Sequence, residues 1–564
     1  MWRCYYVSSW DRTSLKFINL HSHDSIGSPY DGLGLPQEHM DFCIENGMDA
    51  WAQTNHGNMN GYAHAYLYQK ELNNKGIKFK LLPGVEAYYH PDLKEWKNQW
   101  IKSKEKKSQE EQQVIENEEE SKSNIGNILN RRHHIVLLAK SRKGLENLFC
   151  LVSKGYKDGF YRYPRIDLKM LKEHGEDVIV STACVASFLA YDIFTEFNCS
   201  WNELNVNLIN SKSTLDIIVN KLENHVDRIV DCVGEENFNI ELQFNSLQSQ
   251  HLANFVYCEL SKKTRLPLIV TADSHYCRPE FWKDRELYKK LGWLNSKTFD
   301  SSMLPKSIED LKCELYPKNY QQIWESYKKY SNGYNFYDDD VVKNAIERTW
   351  EIAHLQIGNV EPDTSIKLPS NIVPHNMTAI QALVEFCKEG LIKKGLHKEK
   401  KYIDRLKHEL SVIKSKNFSE YFLTMRAIIQ IAQENMLVGA GRGSSGGSLV
   451  CYTLGITQID PIKYGLIFSR FLSKHRVEFP DVDSDVSDRN KLLGLLKGKF
   501  GDDSVIPISN YNTFKLKSLV KDISRFYNIP FEEVNLATKD VDRDIKDTLL
   551  KVGDNKSFFE YSHE

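Results

Sequence analysis

Phe17-Ile18-Asn19-Leu20-His21-Ser22-His23 sets two imidazoles two positions apart directly after a short apolar run. In extended chain such residues project to the same side, so the pair can grip one ion. The same arrangement returns far along the chain, where Leu268-Ile269-Val270 precedes Asp273-x-His275. Between the two pairs, His56 follows Ala50 to Thr54, Glu86 follows Leu81 and Leu82, and Cys184 follows Val178 to Thr182. Ligand-type residues at the carboxyl ends of several strands are what an α/β barrel uses to build a site on one face. His134 breaks the pattern, because it precedes its apolar run, Ile135 to Ala139.

Outward from these residues, β-prone runs recur at Lys16 to Leu20, Asp49 to Gln53, Phe79 to Leu82, Ile135 to Ala139, Val178 to Ser181, Ile240 to Gln243 and Leu266 to Thr271. Alternation with helical stretches predicts a parallel α/β architecture, and so many units favour a barrel over a small open sheet. Lys94 to Arg132, with Lys104 to Lys107 and Glu116 to Glu120, reads as a charged insertion. After Arg278 the pattern turns helical, and Val342 to Leu355 is spaced as an amphipathic helix. Pro362, Pro369 and Pro374 mark a linker; a helical region runs from Ala379 to Met436, and Asn512 to Lys551 is helical and charged.

The chain has 564 residues, 41% hydrophobic and 27% charged, which excludes disordered and fibrous classes. Its 74 Lys+Arg balance 76 Asp+Glu, so net charge alone gives no argument for nucleic acid or an anionic membrane. The amino terminus lacks the pattern of a signal peptide, and no apolar run approaches the roughly 20 residues of a membrane span. The 11 cysteines are scattered without a Cys-x-x-Cys pair, which fits a reducing cytoplasm.

Taken singly, a His or Asp beside a strand is more often a structural hydrogen-bonder than a ligand; repetition across strands is what points to metal. Five imidazoles, three carboxylates counting Asp31, and one thiol suit Zn²⁺, Mn²⁺ or Fe better than Ca²⁺. Nine ligands exceed the need of one tetrahedral ion and imply a multinuclear centre. Such a centre activates a water and clamps a phosphoester oxygen, the requirement for phosphodiester hydrolysis.

A second constellation begins at Val438-Gly439-Ala440-Gly441-Arg442-Gly443-Ser444-Ser445-Gly446-Gly447-Ser448, which leads into an apolar helix expected over Leu449 to Ile456. Glycines let backbone amides approach an anion, a helix amino terminus favours negative charge, and Arg442 offers a fork for phosphate. The spacing fits neither a Walker A loop nor a dinucleotide fingerprint, and a flexible turn is the bland alternative. Phe479-Pro480-Asp481-Val482-Asp483-Ser484-Asp485-Val486 follows. In an extended strand Asp481, Asp483 and Asp485 would share one face, as in sites that hold Mg²⁺ against a triphosphate.

The first set of motifs resembles the PHP (polymerase and histidinol phosphatase) family: Leu20-His21-Ser22-His23, Asp31-Gly32-Leu33, Thr54-Asn55-His56-Gly57, Gly84-Val85-Glu86, His134 to Lys140 and Thr271-Ala272-Asp273-Ser274-His275. More closely, it is similar to the version that opens bacterial replicative polymerases of the polymerase III alpha type. The resemblance implies metal ligation by His21, His23, Asp31, His56, Glu86, His134, Cys184, Asp273 and His275 in a distorted barrel. Asn55 stands where that family usually has Asp, and Asp31 sits one residue late. Gly441-Arg442-Gly443-Ser444, Leu454-Gly455-Ile456-Thr457, Asp460-Pro461, Phe468-Ser469-Arg470-Phe471-Leu472 and Pro480 to Asp485 resemble the same family's palm motifs, in order.

By that resemblance Asp483 and Asp485 are catalytic Mg²⁺ ligands, and Gly441, Arg442, Gly443, Ser444 and Lys517 bind the incoming nucleotide. The fold implied is a PHP barrel over 1–285 with an insertion at 94–132, a helical connection over 286–375, a polymerase-beta-like α+β palm over 376–500, and the start of a helical thumb over 501–564. The function implied is DNA-directed DNA polymerisation on primer-template DNA and dNTPs in a bacterial or phage-infected cytoplasm, alongside a sliding clamp or proofreading subunit. The family's third palm carboxylate has no clear counterpart, since Asp540, Asp542 and Asp544 lack an apolar strand around them. A second polypeptide completing thumb, palm and fingers is therefore expected. The alternatives are a PHP phosphoesterase or 3′ to 5′ exonuclease with a non-catalytic palm remnant, and a structural replisome scaffold.

Overall fold

The structure, a computed structural model, describes residues 16–110, 133–197, 199, 201–294, 313–365, 372–473, 479–508, 515–527 and 529–539. It divides into two compact units, Met1–Pro362 with Asn512–Glu564, and Asp363–Tyr511.

Among its described residues the first unit has eight strands: β1 Ala50–Gln53, β2 Lys80–Tyr89, β3 His133–Ala139, β4 Phe160–Tyr161, β5 Tyr163–Ile166, β6 Val178–Ser181, β7 Phe238–Leu242 and β8 Leu268–Val270. All residues of β1, β6, β7 and β8 are buried, which is why β6 and β8 read as nearly unbroken apolar runs, whereas β7 alternates Asn239 and Glu241 with apolar residues. β1 pairs parallel with β2, β6 with β7, and β7 with β8. The all-parallel expectation fails at β3, which runs antiparallel to both β2 and β6. Its register sets Tyr88 opposite His134 and Glu86 opposite Val136. β3 also starts before the expected Ile135, so its amino end lies where its neighbours have carboxyl ends.

Lys16 to Leu20 does not form the regular strand expected of it. Residues 19–23 are an extended stave that closes the barrel between β1 and the chain after β8. On one side Thr54 N donates to Ser22 O (2.9 Å); on the other Ser274 N donates to His21 O (3.0 Å) and His23 N to Ser274 O (2.7 Å). Asn19 Oδ1 accepts from Ala272 N at 2.9 Å, which ties the same stave to the chain leaving β8. Ile18 N donates to Thr349 Oγ1 at 3.1 Å and so anchors the stave to a helix more than three hundred residues away.

That helix, Asp339–Glu351, begins where the Asp338 carboxylate accepts from Asp340 N and Val341 N. It places Val342, Ala345 and Ile346 in the barrel core and continues as a single π-type turn, Ile352–Gln356. The expected helix over Val342 to Leu355 is thus present, with its regular part ending at Glu351. The β4–β5 hairpin, which nothing in the periodicity signals, extends the sheet beside β2 at Tyr88↔Arg165. Opposite it, the first part of the charged insertion is a helix, Leu93–Glu110, anchored by buried Leu93 and Trp96. Trp96 lies 4.8 Å from the Arg165 guanidinium. The remainder of the insertion, 111–132, lies outside the described residues.

The second unit has its own core. Leu383, Phe422, Leu449, Val450, Cys451 and Phe471 are drawn from the helices Ala379–Lys393, Ser419–Asn435 and Leu449–Thr453 and from the turn after Phe468. Among its described residues the only β pairing is a bridge between Val438 and Val486. The helices Leu516–Phe526 and Phe531–Ala537 meet through Val520 and Val534, while Asp540, Asp542 and Asp544 lie outside the described residues. No helix among the described residues is long and apolar enough to cross a membrane.

Candidate metal centre and glycine-rich loop

All nine residues expected as metal ligands converge on the rim where the barrel's parallel staves end. Glu86 sits at the middle: its Oε1 is 3.1 Å from His21 Nε2 and 2.8 Å from His134 Nδ1, and its Oε2 is 2.6 Å from His56 Nδ1 and 3.6 Å from His23 Nε2. Asp273 Oδ1 lies 3.2 Å from His21 Nε2, 3.4 Å from His23 Nε2 and 3.5 Å from His275 Nδ1. Asp31 reaches His56 Nε2 at 2.9 Å and His275 Nε2 at 3.4 Å, so its late position in sequence does not remove it. Cys184 Sγ is 3.5 Å from His134 Nδ1. His134 joins because β3 is antiparallel, which delivers the start of that strand to the ligand rim.

Three groups of ligand atoms are each close enough to hold an ion: His23, His56 and His275; His21, His23 and Glu86; His56, Glu86 and His134. A cation fits here. His21 Nε2, His23 Nε2, His56 Nδ1, Glu86 Oε2 and Asp273 Oδ1 are buried and have no aligned hydrogen-bond partner, although each faces the others. Buried polar atoms are rarely left so, and five around one point mark a place for positive charge.

Electrostatics agree. Burial pulls His56 down, but Glu86 and Asp31 outweigh it and raise its imidazolium to about 10. Burial would raise Glu86 and Asp273, yet the surrounding histidines hold both carboxyls well below the usual range. Burial, with Glu86 and Asp273 nearby, pushes the Cys184 thiol up. Two ligand-bearing turns are also strained: Ala183, ahead of Cys184, and Asp273 itself have φ of 62° and 47°. Left-handed backbone at non-glycine residues clusters at functional sites.

Several supporting residues escape a sequence reading. Arg285 Nη2 holds Asp31 Oδ1 at 2.5 Å, and Ser28 Oγ stands 3.2 Å from His23 Nδ1. Glu241 lies 2.8 Å from His21 Nδ1. Asn55 fastens the buried Asp24 and the Ser28 hydroxyl: its Nδ2 donates to Asp24 Oδ2 (2.6 Å), and its Oδ1 accepts from Asp24 N (2.9 Å) and Ser28 Oγ (2.9 Å).

In the second unit, the glycine-rich loop and the aspartate pair adjoin. Gly439 N donates to Asp485 O at 2.9 Å, and Arg442 Nη1 is 3.2 Å from Asp485 Oδ1 in an exposed pair. A Cβ on Gly443 would meet Asp483 Oδ2 at 2.4 Å. Two sequence expectations need correction. Asp481, Asp483 and Asp485 are not on a regular strand; all are exposed, and only Val486 beyond them bridges to Val438. The apolar helix spans only Leu449–Thr453, and its amino terminus does not await a phosphate. Buried Glu409 already accepts from Leu449 N (3.0 Å), Val450 N (3.1 Å) and Ser448 Oγ (2.9 Å), with Arg405 Nε at 2.6 Å. Any anion must therefore meet the exposed part of the loop, Arg442 to Ser444. Lys517 lies on the helix Leu516–Phe526, in the part of the chain grouped with the first unit.

Residues 19–245 match the PHP domain, and residues 381–563 match the bacterial DNA polymerase III alpha NTPase domain. The barrel runs past the first match, since Asp273 and His275 come after β8. The chain is 32% identical over 554 residues to the DNA polymerase III subunit alpha of Aquifex aeolicus, covering 96% of this chain and 42% of that protein. It is 30% identical over 556 residues to the same subunit of Borreliella burgdorferi (97% and 42%), and 27% over 558 residues to that of Treponema pallidum (98% and 41%). The fold and site thus define a PHP-domain protein. Over this length the chain belongs to the DNA polymerase III alpha family and spans less than half of the relatives it matches.

Proposed function

We propose that this chain supplies the PHP barrel and the first palm segment of a C-family replicative DNA polymerase. Primer-template DNA and dNTPs are its substrates, and thumb, fingers and a further palm carboxylate are contributed by additional sequence on the same or another polypeptide. The observation that carries this reading is the contact of Asp483 and Asp485 with the glycine-rich loop, inside the segment that matches the polymerase NTPase domain. Bound Mg²⁺ would neutralise triphosphate charge and activate the primer hydroxyl. Asp483 and Asp485 would hold it, Arg442 and the amides of Gly443 and Ser444 would orient the phosphates, and Gly441 would let the loop turn toward them. The pairing of Arg442 with Asp485 is exposed and weak, so either side chain can exchange to a ligand at little cost.

A second reading, phosphoester hydrolysis in the barrel, is favoured by the five buried atoms, Glu86 Oε2 among them, that face one another without an aligned hydrogen-bond partner. Zn²⁺, Mn²⁺ or Fe suits that donor set. One experiment separates the two: extension and 3′-end hydrolysis of a labelled primer by the complete enzyme carrying either substitution. Asp483→Ala should abolish extension and spare hydrolysis, and His23→Ala should do the reverse. Extension that survives Asp483→Ala would remove the palm assignment.

A further inference from the structure

We infer that Glu241 is a positioning residue of the metal centre, fixing His21 so that its Nε2 is presented to the ion; this rests on the metal-site reading above. Glu241 is fully buried on β7 and meets the ligand cluster from behind His21, at Nδ1. A buried carboxylate is costly unless it is hydrogen-bonded, and here both oxygens are. Oε1 receives His21 Nδ1 (2.8 Å), Thr271 Oγ1 (2.5 Å) and Gln243 Nε2 (3.0 Å), and Oε2 receives Ser181 Oγ (2.6 Å). Ser181 ends β6, Thr271 follows β8, and His21 lies on the closing stave. One side chain thus ties together four neighbouring staves of the barrel.

The chemistry at His21 separates this role from simple stapling. With Nδ1 donating its proton to the Glu241 carboxylate, the neutral ring has its remaining lone pair on Nε2, the atom it would present to an ion. Nε2 is the atom without an aligned partner, 3.1 Å from Glu86 Oε1 and 3.2 Å from Asp273 Oδ1. A carboxylate behind a ligating imidazole orients the ring and raises its basicity. Of the other barrel histidines, His23 has a hydroxyl at Nδ1 and His275 a backbone carbonyl at Nδ1, while the carboxylates that meet His56 are Asp31 and Glu86, themselves expected ligands. Glu241 therefore singles out the position formed by His21, His23 and Glu86 as the one given extra donor strength.

The test is a Zn²⁺ titration of the full chain against a chromophoric chelator, with thermal unfolding of the metal-free protein in parallel. Glu241→Gln keeps an acceptor for His21, because its amide nitrogen can face the Ser181 hydroxyl, but it removes the charge. One of the bound ions should weaken about ten- to a hundred-fold, the others should keep their affinity, and the metal-free melting temperature should hold. Ser181→Ala and Thr271→Val, which loosen the staple without touching His21, should lower melting and leave Zn²⁺ affinity unchanged. Wild-type affinity in Glu241→Gln, or a loss shared equally by all ions, would overturn the inference. Wild-type protein that binds no Zn²⁺ would instead overturn the metal-site reading.

Discussion

Gly443 has φ of +67°, and a methyl group there would press into the Asp483 carboxylate. Gly443→Ala should cost about 1–2 kcal/mol in backbone strain and move Asp483. Primer extension by the complete enzyme should fall at least about ten-fold, the magnitude of a roughly 1.4 kcal/mol loss, while the metal content of the barrel stays unchanged. His251 offers a pH test away from either site. Burial lowers its pKa to about 4, partly opposed by the hydrogen bond to the Asn245 carbonyl. The folded value lies below the ordinary 6.5, so the folded state prefers the neutral ring. Its contribution is complete above pH 6.5 and drains away as pH falls toward 4. Urea unfolding at pH 7.5 and pH 5 should show this loss in the wild type and a smaller one in His251→Gln.

Helix Leu449–Thr453 would be marginal alone at five residues, and Glu409 from the helix Lys400–Ser415 holds its start. Glu409→Ala would strand two buried amides and remove the partner of Arg405, at a cost of about 3 kcal/mol to the second unit, measurable by urea denaturation. Nothing local announces this contact, because Glu409 sits within an ordinary amphipathic helix and its partners lie about forty residues on. Glu241 is hidden for the same reason: Ile240-Glu241-Leu242 reads as an alternating strand until β6, β8 and the closing stave surround it. Residues whose chemistry is carried by their own neighbours were legible. His21-x-His23 and Asp273-x-His275 lie together as their patterns suggest, whereas the glycine-rich loop was legible only in part, since its helix start is taken by Glu409. Pairing direction was not, since β3 has the same composition whichever way it runs, and His134 looked misplaced until that direction was known. The β4–β5 hairpin, only two and four residues long, is too short to leave a period.

At the scale of the molecule, the buried residues form separate cores for the barrel and for the second unit. Calorimetry should resolve two unfolding transitions. Removing metal with a chelator should lower the one to which barrel tryptophans such as Trp51 respond and leave the other in place, because ligand binding stabilises only the unit that binds. A single transition moved as a whole would contradict this. The reversed direction of β3 reaches beyond His134. β2 ends and β3 begins on the same rim, with Tyr89 opposite His133, so the chain from 90 to 132 leaves and re-enters beside the ligands and never has to cross the barrel. A connection of that kind carries no minimum or maximum length. Reporter domains or affinity tags spliced into this connection should leave every strand register undisturbed, because the two strands it joins are held by their own pairing, which makes it the natural port for engineering the barrel.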